Sequence, residues 1–367
     1  METFSGVRCD GKAVEDFLAE LIIRAGASEE SARAAARAMS DASMRGVDTH
    51  GVRLTPHYLR GLAAGRINKH PHVTVQRQAP AVIHVDADDG LGHLASFRGI
   101  EAGIAAARET GLAAVAIGNS THHGATGVYT LAAARQGFAA LGMTNTDAIV
   151  APHDGLAAFF GTNPITFAVP NGRGRPIHLD MATSSIPLNR VLLRRDTGTP
   201  LPPEVALDAA GAMTIDPFKA SALMPLGGAN YGYKGAGLAV MIDMLCSAFT
   251  GMRHGCCLPG FSDERVTEPA RLGHFFIVFD IGAFQPRKGF FARVGAFLDD
   301  LHRQKARPGH KVMAPGDPEW AALADRSAHG MPIDNATWAS LNASATTLGC
   351  VPPPVLAHEE EGKASFS

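Results

Sequence analysis

The chain has 367 residues, of which 46% are hydrophobic and 19% charged, a balance typical of a globular protein with a sizeable core. A formal net charge of -2, with lysine and arginine scattered along the chain, argues against binding to nucleic acid or to an anionic membrane. The five cysteines are odd in number and include no Cys-x-x-Cys pair, which argues against a disulfide framework and a thiolate zinc site, so no metal is expected. The first residues lack the apolar core of a signal peptide, and the most apolar helical run is short and carries Asp243, so we expect a cytoplasmic protein.

The N-terminal part of the sequence predicts two helices. Apolar residues repeat at helical spacing from Val14 to Ile22, and Gly26 is expected to end this helix. Ser28 is a candidate N-cap for a second, alanine-rich helix that runs to about Ser43.

Glycines and a proline break the helical periodicity between residues 46 and 56, so the polar side chains of this segment are expected in a loop or on short turns. They are Asp48, Thr49, His50 and Arg53. Asp48 and Thr49 could be simple helix caps, and Arg53 a solvated surface charge. A short helix is expected at residues 57–64.

A glycine motif, GLGHLA at residues 90–95, follows a strand-like run at 81–87 and opens a helix that leads to a second apolar strand at 112–117. This order is the outline of a dinucleotide-binding fingerprint. However, Asp86, Asp88 and Asp89 crowd the turn where a pyrophosphate would lie, and the second strand does not end in an acidic residue. We therefore interpret these glycines as a tight turn before a helix.

Residues 119–152 place polar groups after two predicted strands. The strand at 112–117 leads to His122 and His123, and a second apolar run at 138–143 leads to the Thr-Asn-Thr-Asp segment that ends at Asp147. Ligand sites of open α/β sheets lie beyond the carboxyl ends of the strands, and an imidazole suits proton transfer. The alternative, that both histidines only cap a helix or bond the backbone, stays open.

The second half of the chain predicts shorter elements. Strands are expected within residues 161–170 and 176–185, followed by an exposed excursion at 191–216. A glycine-rich loop within residues 226–251 should run into an apolar helix, where Lys234 and backbone N–H groups could bind an anion. Lys234 could equally be a solvated surface lysine. A buried strand at 274–281 and helices beyond residue 284 complete the chain.

A series of motifs along almost the whole chain, from about residue 10 to residue 333, resembles the malate/L-lactate dehydrogenase family. In chain order they are RGVDTHGVR, NSTHHGATG, MTNTDAIVAP, GTNPITFAVP, LDMATSS, YKGAGLA and PGDPE. This family is unrelated to the Rossmann-fold lactate and malate dehydrogenases. It also contains ureidoglycolate and sulfolactate dehydrogenases, diketogulonate reductase and cyclic-imine reductases.

The resemblance implies an α/β fold with a non-Rossmann dinucleotide-binding domain built on a mixed sheet, at residues 119–284. It implies a helical substrate and dimerisation domain formed by residues 1–118 together with about 285–367. The implied protein is a homodimer that uses NAD or NADP and transfers hydride between nicotinamide and a small 2-hydroxy or 2-oxo acid, such as malate, lactate or ureidoglycolate. The alternative within the family is reduction of a cyclic imine 2-carboxylate.

Two other classes of protein are alternatives to a dehydrogenase. Sixteen histidines could suggest a metal-dependent hydrolase, but the sequence has no HExxH or similarly spaced ligand set. In a non-catalytic binding protein we would expect His50 or His122 to be lost, and both are present.

The resemblance also implies roles for individual residues. Acid/base roles fall on His122, expected to carry the proton, and on His50, expected to bind the substrate and to be the alternative donor. Substrate contacts fall on Thr49, Arg53, His50 and Asp147. Cofactor contacts fall on Thr146, Asn163, Pro164, Asp180, Met181, Ala182, Lys234 and Gly235. Leu54 stands where many members have arginine, which leaves the carboxylate clamp open.

Overall fold

The computed structural model of the chain describes residues 5–261 and 267–359. The helices are α1 (Gly11–Arg24), α2 (Glu29–Met44), α3 (Thr55–Ala63), α4 (Gly92–Thr110), α5 (Gly127–Arg135), α6 (Leu188–Thr197), α7 (Gly228–Cys246), α8 (Ile281–Phe284), α9 (Arg287–His302), α10 (Asp317–His329) and α11 (Asn335–Leu348). The strands are β1 (Gly6–Cys9), β2 (Thr74–Ala79), β3 (Val82–Asp86), β4 (Leu112–Ser120), β5 (Ala139–Thr144), β6 (Ile165–Val169), β7 (Ile177–Met181), β8 (Ala206–Leu207), β9 (Ala222–Leu223), β10 (Leu272–Phe279), β11 (Met331–Asp334) and β12 (Val355–Glu359).

The largest sheet has the strand order β2-β3-β4-β10-β5-β6-β7. Only the β3–β4 pair is parallel; every other neighbouring pair in this sheet is antiparallel. Strand β10 lies between β4 and β5 and runs antiparallel to both, so β4 and β5 point the same way. Their carboxyl ends therefore meet at one edge of the sheet. The predicted mixed sheet is confirmed.

Helices cover both faces of this sheet. One face packs against α4 and α5 around Ile100, Val115 and Phe276. The other face packs against α7 through Met143, Ile242 and Phe275. This burial on both sides explains why β4 and β10 read as continuous apolar runs in the sequence.

The N- and C-terminal segments share a second core. Strands β11, β1 and β12 form an antiparallel sheet, and residues of α1, α2, α3 and α11 pack with it in one buried cluster. Ser28 caps α2 as predicted, with its Oγ accepting the Ser31 N–H at 3.4 Å. The large sheet, however, begins at β2, inside the range 1–118, and the boundary at 118 falls within β4. The division into domains stays a prediction, and residues 1–4, 262–266 and 360–367 of its ranges lie outside the described residues.

Two expectations about the second half were wrong. Residues 191–216 are not simply an exposed excursion, because Val191 on α6, Leu201 in the following loop and Ala206 on β8 are buried in a cluster with α7. The glycine-rich stretch before the apolar helix is itself helical, so Lys234 lies in the second turn of α7. Glycine is needed there for close packing, since a Cβ on Gly235 would lie 2.4 Å from the Leu226 backbone nitrogen.

In the part of the chain that the structure describes, no helix combines the length and hydropathy that crossing a membrane would require.

Candidate active site

The two histidines with predicted acid/base roles lie side by side. His50 ends the 3-10 turn Asp48–His50, and His122 lies in the loop after β4. Their ring centroids are 5.9 Å apart, with ring planes inclined by 21°. Both side chains are half-buried, so a small molecule can still reach them.

The hydrogen bonds of His122 define which of its nitrogens carries the proton. The Gly124 N–H donates to His122 Nδ1 at 3.2 Å, and the Tyr58 hydroxyl lies 2.8 Å from the same atom. Because a backbone amide can only donate, Nδ1 is an acceptor and the Tyr58 hydroxyl donates to it. A neutral His122 therefore carries its proton on Nε2 and presents a fixed N–H to a ligand.

The hydrogen bond of His50 leaves its tautomer free. His50 Nδ1 lies 2.8 Å from Thr49 Oγ1, and a hydroxyl can either donate or accept. When Thr49 accepts, Nε2 of His50 holds a lone pair. His50 can then take up a proton from a substrate hydroxyl, which His122 in its fixed tautomer cannot do.

The environment keeps both imidazoles neutral near pH 7. Burial lowers the pKa of His50. Burial also holds the pKa of His122 well below its usual range, and the neighbouring His50, His57 and His93 lower it further. A neutral imidazole is the form that a general base must have before it accepts a proton.

Four residues that the sequence reasoning missed complete the surroundings of this pair. Phe261 stacks on His57 with centroids 3.7 Å apart and lies 4.8 Å from the His122 ring. Tyr58 is fully buried, and Arg66 donates to the Gly260 carbonyl at 3.2 Å. In the sequence, Tyr58 and His57 read as ordinary helix residues, so nothing in the local pattern marked them.

Asp147 reaches the site through the backbone of Phe261. Its Oδ2 accepts the Phe261 N–H at 3.0 Å. Burial raises the pKa of Asp147, and this hydrogen bond and the charge of Arg66 partly offset the rise. Asp147 thus fixes the segment whose aromatic ring packs on the histidines.

Arg53 lies on the 3-10 turn Val52–Leu54, next along the chain from His50, and is exposed. Within residues 5–261 and 267–359, Arg53 has no hydrogen-bond or ion-pair partner. A guanidinium group in that state is available to a carboxylate.

The segments that carry the predicted cofactor residues meet near one edge of the large sheet, where hydrogen bonds join them. Thr146 Oγ1 accepts the Thr162 N–H at 3.3 Å, and the Thr162 carbonyl accepts the Thr183 N–H at 2.9 Å. Leu226 N–H donates to the Thr183 carbonyl at 2.8 Å, and Gly235 N–H donates to the Leu226 carbonyl at 3.1 Å. Asn163, Pro164, Met181 and Ala182 lie beside this series in the chain.

Two of these residues have structural partners of their own. The buried Asn163 donates from Nδ2 to the Ala239 carbonyl at 3.1 Å, while its Oδ1 has no partner among the described residues. Asp180 accepts the Gly127 N–H at 2.9 Å, at the start of α5. Burial raises the pKa of Asp180 to about 6, opposed by that hydrogen bond and by Arg45.

Lys234 is exposed, with its Nζ 5.3 Å and 6.0 Å from the ring centroids of Tyr231 and Tyr233. It has no ion-pair partner in the described part of the chain, so its charge is available to a phosphate. With the unsatisfied Asn163 Oδ1, this donor and acceptor set fits a dinucleotide at this edge.

The GLGHLA turn offers no comparable site. The Gly92 N–H donates to Thr121 Oγ1 at 3.2 Å, and a Cβ on Gly92 would lie 2.2 Å from the Thr121 carbonyl oxygen. This turn is closed by packing against the loop before His122, which supports its interpretation as a structural turn.

Comparisons with known proteins agree with these features. The family model described as malate/L-lactate dehydrogenase matches residues 10–342. The chain is 32% identical to a malate dehydrogenase of Pyrococcus horikoshii, over 91% of this chain and 93% of the relative. It is 30% identical to an NAD(+) ureidoglycolate dehydrogenase of Escherichia coli K12, over 80% and 83%. The solved structure of a delta1-piperideine-2-carboxylate reductase from Pseudomonas syringae is similar with a TM-score of 0.82 and 30% identity, covering 92% of this chain and 99% of that one. The chain belongs to the malate/L-lactate dehydrogenase family.

Proposed function

We propose that the His50–His122 pair moves the proton in a hydride transfer between a nicotinamide dinucleotide and a small 2-hydroxy acid. The chain is an oxidoreductase of its family, and the relatives it resembles are malate, sulfolactate and ureidoglycolate dehydrogenases. The observation that carries the proposal is the closeness of two neutral imidazoles, one with a fixed N–H and one with a free tautomer.

The cofactor is NAD or NADP, the two forms that the names of relatives specify. The residues that would hold it are Thr146, Asn163, Pro164, Asp180, Met181, Ala182, Lys234 and Gly235. When bound, nicotinamide supplies or accepts the hydride. Lys234 contributes a positive charge that can bind a phosphate, and the sheet edge contributes polar groups that can bind the rest of the dinucleotide.

The two histidines have different tasks in this proposal. Nε2–H of His122 donates a hydrogen bond to the substrate oxygen and positions it. His50 takes the hydroxyl proton during oxidation and returns it during reduction. This assignment exchanges the main roles expected from the family resemblance, because the Gly124 N–H occupies the nitrogen that His122 would need for proton uptake.

The substrate is a small carboxylate, and Arg53 is our proposed carboxylate-binding group. Its guanidinium is exposed one turn after His50 and has no competing partner among the described residues. Malate, lactate or a ureidoglycolate-like acid fits this arrangement. The similar structure of a piperideine-2-carboxylate reductase favours a cyclic imine as the second candidate.

A substrate panel tests the choice. Oxidation is measured with NAD and with NADP for malate, lactate, sulfolactate and ureidoglycolate. Reduction is measured for the matching 2-oxo acids and for piperideine-2-carboxylate. Both reactions are followed by the absorbance of the reduced nicotinamide. We expect the highest kcat/KM for a 2-hydroxy acid pair. A higher value for the imine would establish the second candidate, and equal turnover of simple alcohols would contradict both.

We further propose that the chain forms a homodimer through α7. This helix exposes three apolar side chains close together, with Val240 46%, Met241 40% and Met244 45% exposed. Sedimentation should show a dimer, and Met244→Asp should shift it toward monomer. A monomeric wild-type chain would contradict this.

The five free cysteines suit the reducing cytoplasm in which we place the protein.

A further inference from the structure

A second group of chemically active side chains lies on the short turn after α7. Cys256 and Cys257 belong to the 3-10 turn Gly255–Cys257, and His254 directly precedes it. One ligand atom from each of the three residues lies within 4.8 Å of the others. Cys257 Sγ is 3.5 Å from His254 Nε2 and 4.0 Å from Cys256 Sγ. Neither thiol has a part in the proposed dehydrogenase chemistry.

The Cys256–Cys257 and Cys257–His254 separations are close to those of ligands around one tetrahedral metal ion. Zinc bonds to thiolate and imidazole at ~2.3 Å and ~2.05 Å, which for a tetrahedron places sulfurs roughly 3.8 Å apart and sulfur and nitrogen roughly 3.5 Å apart. We propose that His254, Cys256 and Cys257 bind a Zn²⁺-type cation with a fourth position open to water or another ligand. Soft thiolates select such an ion over Mg²⁺ or Ca²⁺.

The turn is fixed in place without the metal. The Gly255 N–H donates to Asp243 Oδ2 at 3.3 Å, and Asn145 Nδ2 donates to the Arg253 carbonyl at 2.9 Å. A Cβ on Gly255 would lie 2.8 Å from the Phe159 carbonyl oxygen, so this residue must be glycine for the turn to pack. A preorganised turn reduces the ordering that metal binding would otherwise require.

The cluster is accessible and differs from the sequence expectation. Cys256 and Cys257 are exposed, so an ion can reach both thiols. The lack of Cys-x-x-Cys pairs in the sequence argued against a thiolate zinc site, whereas a His-x-Cys-Cys segment on a tight turn brings these ligand atoms together.

Cobalt is the probe for this site, because tetrahedral Co²⁺ bound by thiolates absorbs in the near ultraviolet and the visible. The full-length chain is kept reduced with a phosphine and titrated with Co²⁺. We expect thiolate charge-transfer absorption that saturates at one equivalent, disappears when Zn²⁺ is added, and persists in excess Mg²⁺.

Variants locate the ion. Cys256→Ser, Cys257→Ser and His254→Gln should each lower Co²⁺ affinity more than about 10-fold, since even outer partners of metal ligands contribute ~10–100-fold. The matched control His70→Gln changes an exposed histidine elsewhere and should leave the titration unchanged. Unaltered melting temperature and dehydrogenase activity of the variants would show that they fold.

Absence of charge-transfer absorption in the reduced wild-type chain would overturn the proposal. So would absorption that survives in both cysteine variants, because the ion would then lie on other groups.

Discussion

The Tyr58 hydroxyl gives the sharpest single-atom test of how His122 is positioned. Tyr58 is fully buried on α3, its ring lies edge-on to His93, and its hydroxyl is 2.8 Å from His122 Nδ1. Tyr58→Phe removes that hydroxyl and keeps the ring. The Gly124 N–H still holds Nδ1 at 3.2 Å, so the imidazole should keep its tautomer but lose part of its restraint.

The expected magnitude follows from one neutral hydrogen bond. Such a bond contributes ~0.5–1.5 kcal/mol, and each ~1.4 kcal/mol corresponds to a tenfold change in rate. Turnover of the 2-hydroxy acid should therefore fall about 2- to 13-fold. Since the ring and hydrogen-bond partners of Tyr58 among the described residues are His57, His93 and His122 rather than the predicted cofactor residues, the KM for NAD or NADP should stay within about twofold.

The assay is steady-state kinetics with thermal unfolding of the same samples. Tyr129→Phe is the matched control, because it removes another fully buried hydroxyl, one that donates to the His123 carbonyl. The control should lose stability and keep its turnover. A loss beyond about 100-fold in a folded Tyr58→Phe protein would refute the positioning role and make the phenol itself the proton donor.

Three further changes test other parts of the structure. Lys234→Ala should raise the Kd of the dinucleotide by roughly 10- to 150-fold, because a charge-assisted bond of ~1.5–3 kcal/mol is lost. The control Lys219→Ala should leave this Kd unchanged. Equal Kd values for Lys234→Ala and wild type in fluorescence titrations would contradict the prediction. Gly92→Val should lower the melting temperature while leaving the dinucleotide affinity of the folded protein nearly unchanged, since a Cβ there would lie 2.2 Å from the Thr121 carbonyl oxygen. A folded variant that no longer binds NADH would show that the GLGHLA turn contacts the cofactor. Burial raises the pKa of Asp180 in the folded protein to about 6, so its ionisation lowers the free energy of unfolding as pH rises from about 4 through 6. Over that range the melting temperature of the cofactor-free Asp180→Asn protein should rise relative to that of wild type. A relative fall would contradict the raised pKa.

Local patterns predicted most of the elements. The apolar periodicity of α1 and the Ser28 cap were readable because neighbouring residues alone determine them. Continuous apolar runs marked β4 and β10, which are buried on both faces. The expectation failed at residues 191–216, where proline, arginine and aspartate suggested exposure while Val191 and Leu201 pack against α7. Composition cannot show which few apolar residues of a polar segment are buried in a hydrophobic core.

The candidate site was predictable only in part. Motifs pointed to His50 and His122, but their contact joins the turn after α2 to the loop after β4, and no local pattern shows that these distant segments meet. Tyr58 and Phe261 were missed because contacts between distant segments, not sequence spacing, place them on His122. The tautomer of His122 also required the position of the Gly124 amide.

The pH dependence of kcat/KM for 2-hydroxy acid oxidation, in wild type and in His50→Gln and His122→Gln, tests the histidine roles most directly. Oxidation needs a neutral base, and burial lowers the pKa of His50, so the wild-type acid limb should lie below about pH 6.5. His50→Gln should lose that limb and ~10²–10⁴-fold of its rate, whereas His122→Gln should be slower but keep the limb. Loss of the limb in His122→Gln, with its retention in His50→Gln, would contradict the assignment of the proton to His50.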